Sequence, residues 1–445
     1  MTTTHNIQLR RLAAAIVQRL QSAGHSAFWV GGCVRDSLLG REPGDYDIAT
    51  SALPDQIEKL FPHTIPVGRK FGVIIVVIEE QQFQVATFRA EADYLDGRRP
   101  ETVMFANAQA DAARRDFTVN GLFFDPVSGK LHDWFGGEAD LRGKLIRTIG
   151  SPEERFSEDH LRLLRAIRFA TQLGFEIEPA TFAAIKTLAA KIKLISAERV
   201  RDELLKLFRP PNAERGLHLL HTSSLLEHVL PEIAATVTCE QSPDFHPEGS
   251  VFNHLCLMLK QLPPDAHLSL PWAVLMHDVA KPLTASHDPL TGSIHFYEHE
   301  KIGATMAQEI LERLRFPRKQ IEEIATVVQH HMQFKDAQQM RKSTLRRIML
   351  RETFHLEMQL HRLDCLGSNG RLDAYHFLIA QAEEFAKQPA IRPPLLTGTD
   401  LIALGVKPGK AMGELLAELR EKQLQDELTT PDEARNWVRE RLPRQ

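Results

Sequence analysis

The stretch 29-WVGGCVRDSLLGREPGDYDIATSALP-54 constrains this chain more than any other. An apolar strand runs into two glycines, an Arg-Asp pair lies in the helix that follows, and a second strand carries Asp45 and Asp47 with one residue between them. A strand has period two, so both carboxylates point to the same side, close enough to hold one divalent ion. Carboxylates that close repel, so a cation is expected between them, and hard oxygen ligands favour magnesium over zinc. Gly31 and Gly32 let the backbone approach a phosphate and expose amide N–H groups to it. Arg35 offers a fork of donors about one turn into the following helix. The competing reading is a tight turn with a solvated acidic rim. A phosphate grip and a metal seat within one strand-helix-strand unit argue against it.

At 445 residues the chain is too long for one ordinary core, and about two to four domains are expected. A formal net charge of −4 argues against a protein that coats nucleic acid everywhere, while leaving room for basic residues on one face. Cys33, Cys239, Cys256 and Cys365 are far apart and lack CxxC spacing, which reads as reduced thiols in a cytoplasm. The first residues carry an apolar stripe at helical spacing through Leu9, Leu12, Ile16 and Leu20 without an uninterrupted apolar run. That predicts an amphipathic helix and neither a signal peptide nor a membrane span. Nothing in the composition sets the oligomeric state.

The periodicity changes once along the chain. From about residue 27 to 150 short strands, AFWV, YDIAT, FGVIIVVI, QFQVATFR and NGLFFDP, alternate with turns such as PVGRKFG and DPVSGK, and 54-PDQIEKLF-61 predicts a helix. After about residue 156 nearly everything reads as helix, with breaks that include QLPPDAHLSLP and LTASHDPLTGS. The fold class is therefore α+β: a head of about 150 residues on a long helical body.

Two more segments of the head hold charges in patterns that suit phosphates. The run 87-TFRAEADYLDGRRP-100 carries Arg89, Arg98 and Arg99 around an acidic turn, and 111-DAARRDFTVNGLFFD-125 places Arg114, Arg115, Asp116 and Asn120 just before a strand. The helical body contains His254, the adjacent His277 and Asp278 followed by Lys281, His299, His330 and His331, and Asp364. Imidazoles and carboxylates on successive helices are the ingredients of a metal site for phosphate-ester hydrolysis.

These segments resemble the class II tRNA nucleotidyltransferase and bacterial poly(A) polymerase family, which extends RNA 3′ ends without a nucleic-acid template. GGCVRDSLLG…DYDIAT resembles its catalytic motif, ATFR…DYLDGRRP its flexible-loop region, and RRDFTVN the segment that contacts the nucleotide sugar and triphosphate. The run 155-RFSEDHLRLLRAIRFATQLGF-175 resembles the segment that selects the incoming base, which by position assigns that role to Asp159 and Arg162, with Arg165 one turn on. On spacing alone those two residues read as an ion pair on one helix. The run 196-SAERVRDELLKLF-208 resembles the next helical motif. Many relatives carry a third carboxylate where this chain has Gln84, which contributes no charge. The HD pair and its context resemble the HD phosphohydrolase domain. His254, His277, Asp278 and Asp364 match its basic ligand set, and His299 with His330 or His331 matches the additional ligands of binuclear members; His330 is taken as the ligand.

The resemblance implies a nucleotidyltransferase head with a mixed β-sheet over 1–150, a helical neck for base selection and RNA binding over 151–240, an HD domain over 241–385 and a helical RNA-binding tail over 386–445. In the tail, an LTG-x-DL-x-x-LG-x-x-PG run resembles that of CCA-adding relatives, and Lys407 and Lys410 are candidates for RNA phosphates. The implied activity is CCA addition to tRNA from CTP and ATP by two-metal transfer with Mg²⁺ at Asp45 and Asp47. Gly31, Gly32, Arg35, Arg89, Arg114, Arg115, Asp116 and Asn120 would grip the nucleotide. A transition metal such as Mn²⁺, Ni²⁺ or Co²⁺ suits the HD site, where a phosphatase or 2′,3′-cyclic phosphodiesterase activity is expected. Poly(A) polymerase or A-adding activity is the alternative, and an HD phosphohydrolase with an RNA-binding head a further one.

Overall fold

The computed structural model describes residues 3–90, 104–243, 246–291, 293–387 and 394–442. The chain divides into two compact units, Met1–Ala234 and Ala235–Gln445.

In the first unit, helix α1 (Thr3–Ser22) buries the stripe Leu9, Leu12, Ile16 and Leu20 and packs against the first strand. Seven strands follow: β1 (Ala27–Val30), β2 (Asp47–Thr50), β3 (Thr64–Gly68), β4 (Val73–Ile78), β5 (Gln81–Thr87), β6 (Phe123–Asp125) and β7 (Lys130–His132). They form one sheet in the order β3-β4-β5-β2-β1-β6-β7. Every neighbouring pair is antiparallel except β2 with β5, so the sheet is mixed. Along β5, buried Phe83 and Val85 alternate with exposed Gln82 and Gln84, the signature of a one-sided strand. On β2, Ile48 and Ala49 are both buried, because the sheet is covered on both faces there; Ala49 joins a small cluster with Val30, Phe88, Ala112 and Phe123.

Helices α2 (Gly32–Leu38), α3 (Pro54–Leu60) and α4 (Ala108–Ala113) complete the head. Strand β3 was read as a turn in the sequence, because Pro66 and Gly68 interrupt it. It lies at the sheet edge, where a residue lacking an N–H is tolerated, and its pairing with β4 shifts register between Ile65 and Gly68. The unit continues with α5 (Leu161–Leu173) and α6 (Ala197–Leu207), which pack together; Gly174, at φ 71°, closes α5 in the left-handed region.

The second unit is built on α7 (Val251–Lys260), α8 (Leu270–His277), α9 (His299–Arg313), α10 (Arg318–His330), α11 (Lys342–Met349) and α12 (Phe354–Gly367). Every residue of α8 is buried. A helix apolar all round belongs in a core, and this one delivers His277 and the following Asp278 to the interior. The polar stretch read as a break before α9 holds a hairpin of β8 (Ala285–His287) and β9 (Ile294–Phe296). The tail has its own core of Leu396, Leu401, Met412, Leu419, Leu428, Ala434 and Val438, and Thr397 with Asp400 forms a capping box. No described helix is long and apolar enough to cross a membrane.

Candidate active sites

At the end of β1 the chain turns through Gly31, with φ 73° and ψ −129°. A side chain rarely adopts that conformation, and a Cβ there would also lie 3.0 Å from Arg115 Nη1. Glycine is thus demanded by the backbone, and its bare Cα leaves room for the arginine. Across the turn, Asp45 and Asp47 are exposed while Tyr46 between them is buried against Trp29, ring centroids 4.8 Å apart. The alternation points both carboxylates to one side, as period two requires. The regular strand starts only at Asp47, opposite Val30, so Asp45 precedes the sheet and does not share the strand as expected.

Loss of hydration, then the charge of Asp45, push the Asp47 carboxyl above its ordinary range, and Arg115 pulls it back. Two carboxylates that destabilise each other's charge are a fit for a divalent cation. Ile48 pairs with Val85 in the parallel register, so Asp47 and Gln84, each one residue earlier and each exposed, occupy adjacent strand positions. The uncharged Gln84 therefore stands beside the carboxylate pair.

The arginines predicted for this site are tied to one another by acids. Arg35 is buried: Nη1 donates to Asn120 Oδ1 at 2.8 Å, while Nε and Nη2 donate to Asp36 at 2.8 and 3.0 Å. Its guanidinium also lies over the Phe169 ring of α5, bracing α2 against that helix. Asp111, which sequence reasoning missed, is buried in α4 and accepts from Arg114 at 2.6 Å, from Arg115 at 3.2 Å and from the backbone N–H of Arg89 at 3.1 Å. Burial acts to raise its pKa, but Arg114 and Arg115 hold it low. The signal was present in the i,i+3 and i,i+4 spacing of 111-DAARR-115. Arg98 and Arg99 lie outside the described residues.

Asp116 turns inward. Its Oδ2 accepts from Arg165 at 2.6 and 2.8 Å, and its Oδ1 from Asn120 at 3.0 Å and the Phe117 N–H at 2.9 Å. Burial raises its pKa, yet Arg165 and Asn120 outweigh that and hold it at about 2. The folded value lies below the unfolded value of about 3.9, so this stabilisation is complete above about pH 5 and is lost as pH falls towards 2. Asp116→Asn is expected to cost about 2 kcal/mol in urea unfolding at pH 7, with the difference from wild type shrinking as titrations are repeated down to about pH 3.

Asp159 and Arg162 do not pair with each other. Asp159 sits between two helices, accepting from the Leu161 N–H at 3.1 Å and from Arg199 of α6 at 2.7 Å. Arg162 donates to Glu158 at 2.5 Å and to the main-chain carbonyls of Arg155 and Arg114 at 3.0 and 3.1 Å. The ion-pair reading of their spacing is overturned, since each has a different partner. In the tail, Lys407 and Lys410 are exposed, and Lys410 lies 3.8 Å from Glu414.

The second unit gathers four histidines and two aspartates. Ligand atoms of His254, His277 and Asp278 lie within 4.8 Å of one another, as do those of Asp278, His299 and His331, so Asp278 is common to both groups. Asp364 completes the first group, with Oδ1 3.0 Å from His254 Nε2. His330, taken as the ligand from sequence, is corrected here: its Nδ1 lies 3.9 Å from Glu357, whereas His331 Nε2 is 3.2 Å from His299 Nε2 and 3.8 Å from Asp278. Adjacent residues project about 100° apart around a helical axis, and here only His331 brings a ring nitrogen to Asp278 and His299.

The local bonding prepares the imidazoles for a cation. Nδ1 of His277, His299 and His331 lies 2.8, 2.7 and 2.6 Å from the carbonyls of Val274, Phe296 and Val328. Carbonyls only accept, so each Nδ1 carries the proton and each Nε2 presents a lone pair inward. The close Nε2 atoms of His299 and His331 repel unless something positive lies beside them. The buried His277 Nε2 has no aligned hydrogen bond, although Asp278 Oδ2 is 3.2 Å away. Burial, then the charge of His277, lower the His331 pKa to about 3. Burial acts to raise Asp278, but His277 and Lys281, whose Nζ is 2.7 Å away, hold its carboxyl well below the usual range. Asp278, Lys281, His299, His331 and Asp364 open onto a cavity of about 560 Å³ that is also lined by Lys335, Asn369 and Arg371, donors suited to a phosphate.

Fold and site thus define a nucleotidyltransferase-type head joined in one chain to an HD-type metal pocket. Three family models match in chain order: the poly A polymerase head domain over 27–147, the "probable RNA and SrmB-binding site of polymerase A" over 174–236 and the HD domain over 250–363. CCA-adding enzymes of Staphylococcus aureus strains MRSA252 and Mu3 are each 47% identical over 214 residues, 48% of this chain and 53% of the relative. The chain therefore spans about half the length of these relatives. The Bacillus stearothermophilus CCA-adding enzyme, solved in complex with CTP, is 27% identical with a TM-score of 0.76, over 99% of this chain and 98% of that one. The Thermotoga maritima CCA-adding enzyme complexed with tRNA shares the fold at 19% identity and a TM-score of 0.61, over 97% and 95% of the two chains. The chain thus matches the poly A polymerase head domain in its first part and the HD domain further on.

Proposed function

We propose that this chain adds C, C and A to the 3′ end of tRNA from CTP and ATP, releasing pyrophosphate. The observation that carries the reading is the Asp45–Asp47 pair beside the Gly31 turn, in a chain similar along nearly its whole length to a CCA-adding enzyme solved with CTP. Mg²⁺ held by Asp45 and Asp47 supplies, when bound, Lewis-acid stabilisation of the attacking 3′-hydroxyl and the α-phosphate. Arg115, beside the glycine turn and within the field of Asp47, offsets triphosphate charge together with Arg114 and Arg89. Arg35, Asp116, Asn120 and Arg165 form the buried lattice that holds these arginines in place. A tRNA lacking its 3′ end, incubated with each labelled nucleotide, tests the activity by product length. Three added residues ending in A support it, and long A tracts favour the poly(A) or A-adding alternative.

Base selection falls to Asp159 and Arg162, which the neck helices hold at fixed positions. Fixed donor and acceptor edges leave a wrong base with unpaired polar groups. Replacing both by alanine is expected to raise UTP and GTP incorporation by about tenfold or more relative to CTP, with the total rate falling less. Unchanged nucleotide preference in that assay moves base choice elsewhere. We further take 1–150 as head, 151–240 as neck, 241–385 as HD domain and 386–445 as tail, with the exposed Lys407 and Lys410 against tRNA phosphates.

A second activity is favoured by the four inward imidazoles. Mixed imidazole and carboxylate ligation suits Mn²⁺, Ni²⁺ or Co²⁺. His254, His277, Asp278 and Asp364 would hold one ion, and His299 and His331 with Asp278 would supply a second position. The substrate is a phosphomonoester or 2′,3′-cyclic phosphate, such as a lesion at an RNA 3′ end. The four free cysteines, three of them buried, fit a reducing cytoplasm.

A further inference from the structure

We propose that Glu248 is the positioning residue of the HD pocket and that, through it, His246 becomes a group that contacts the substrate. This rests on the metal-pocket reading above. Three of the four pocket imidazoles have Nδ1 pinned by a main-chain carbonyl. His254 differs: its Nδ1 lies 2.7 Å from Glu248 Oε1 and 3.4 Å from the Gly367 carbonyl. The same carboxylate oxygen lies 2.9 Å from Nδ1 of His246.

An ionised carboxylate only accepts, so both rings donate their Nδ1 protons to Glu248, and each Nε2 faces away from it. For His254 that atom faces Asp364 at 3.0 Å and the group formed with His277 and Asp278. His246 stands nearly perpendicular to His254, at 82° with ring centroids 5.0 Å apart, and lines the same cavity. Its Nε2 makes no hydrogen bond to a described residue, which leaves its lone pair to accept from a P–OH or ribose hydroxyl of a bound phosphate ester.

Among the described residues the other acceptor beside His254 Nδ1 is the more distant Gly367 carbonyl, at 3.4 Å. His254 is fully buried, the Glu248 side chain is 7% exposed, and a Cβ at Gly367 would lie 3.2 Å from His254 Cε1, so the ring is hemmed from behind. Water cannot readily replace the carboxylate. A carboxylate behind a ligating imidazole fixes its orientation and raises its basicity, and its loss commonly weakens metal binding about 10–100-fold.

The test uses the full-length chain, titrated with Co²⁺ alone and followed by visible absorption and elemental analysis. Glu248→Ala is expected to bind Co²⁺ about 10–100-fold more weakly with an altered spectrum, and Glu248→Gln, whose amide oxygen still accepts from one ring, to fall between it and wild type. His246→Gln should keep Co²⁺ affinity within about twofold while lowering kcat for p-nitrophenyl phosphate about tenfold or more. Thermal unfolding by circular dichroism within about 3 °C of wild type shows that each variant is folded. Wild-type Co²⁺ affinity and spectrum in Glu248→Ala overturn the positioning role, and unchanged turnover in His246→Gln overturns the substrate contact. A wild-type chain that takes up no Co²⁺ removes the pocket reading and this proposal together, a result distinct from either.

Discussion

Asp47→Ala is expected to lower nucleotide addition by about 10³-fold or more while tRNA affinity changes by less than about twofold. Asp47 begins β2 opposite Val30, beside the first turn of α2, and its side chain is exposed on the same side as Asp45. Removing it deletes half of the carboxylate pair and none of the apolar packing, because Ile48, Ala49 and Thr50 carry the buried part of the strand. Transition-state stabilisation by a metal is worth several kcal/mol, enough for the loss predicted. Nonspecific affinity for RNA comes from cations along the phosphate backbone, which the substitution leaves in place. Single-turnover addition to a tRNA lacking its 3′ end, together with filter binding of the same RNA, separates the two quantities. Normal turnover by Asp47→Ala would sink the proposed mechanism.

Asp278→Asn is expected to strip metal from the HD pocket and to abolish hydrolysis of 2′,3′-cyclic AMP and p-nitrophenyl phosphate, with nucleotide addition held within about twofold. Asp278 belongs to both ligand groups, and asparagine preserves its volume while removing the charge that opposes Lys281 and any bound cation. Lys281 is buried, with Nζ also 2.7 Å from Gln241 Oε1, so removing its counter-charge is expected to cost the second unit about 3–5 kcal/mol. That loss should show as a lower melting transition. Hydrolysis and addition measured with several metals on the same preparations distinguish a pocket effect from general unfolding. Retained metal and retained hydrolysis in Asp278→Asn would show that the cluster is not the hydrolytic centre.

Much of the fold was legible because it depends on local pattern. The α1 stripe, the strands around Ile48 and Val85, and the solidly apolar helix before His277 express period or composition within a few residues, and burial follows from them directly. The alternation of exposed Asp45 and Asp47 about the buried Tyr46 was legible too, although Asp45 precedes the regular strand. Strand β3 and the β8–β9 hairpin were not legible, since Pro66 in one and a short polar run in the other carry turn signals that sheet context overrides.

What only the tertiary structure decided is partnership at long range. Spacing made Asp159 and Arg162 a pair, but Asp159 reaches Arg199, 40 residues on, and Asp116 reaches Arg165 across 49. Between His330 and His331 the sequence offered no choice, because both stand at the end of the same helix and only the position of Asp278 distinguishes their directions. Glu248 passed unread for the same reason: an acid there announces nothing until packing sets imidazoles beside it and removes the water that would otherwise serve. Residue type and period determined which chemistry this chain carries, and the burial of its charges determined which side chains meet, because a buried charge must find its partner wherever the fold brings one.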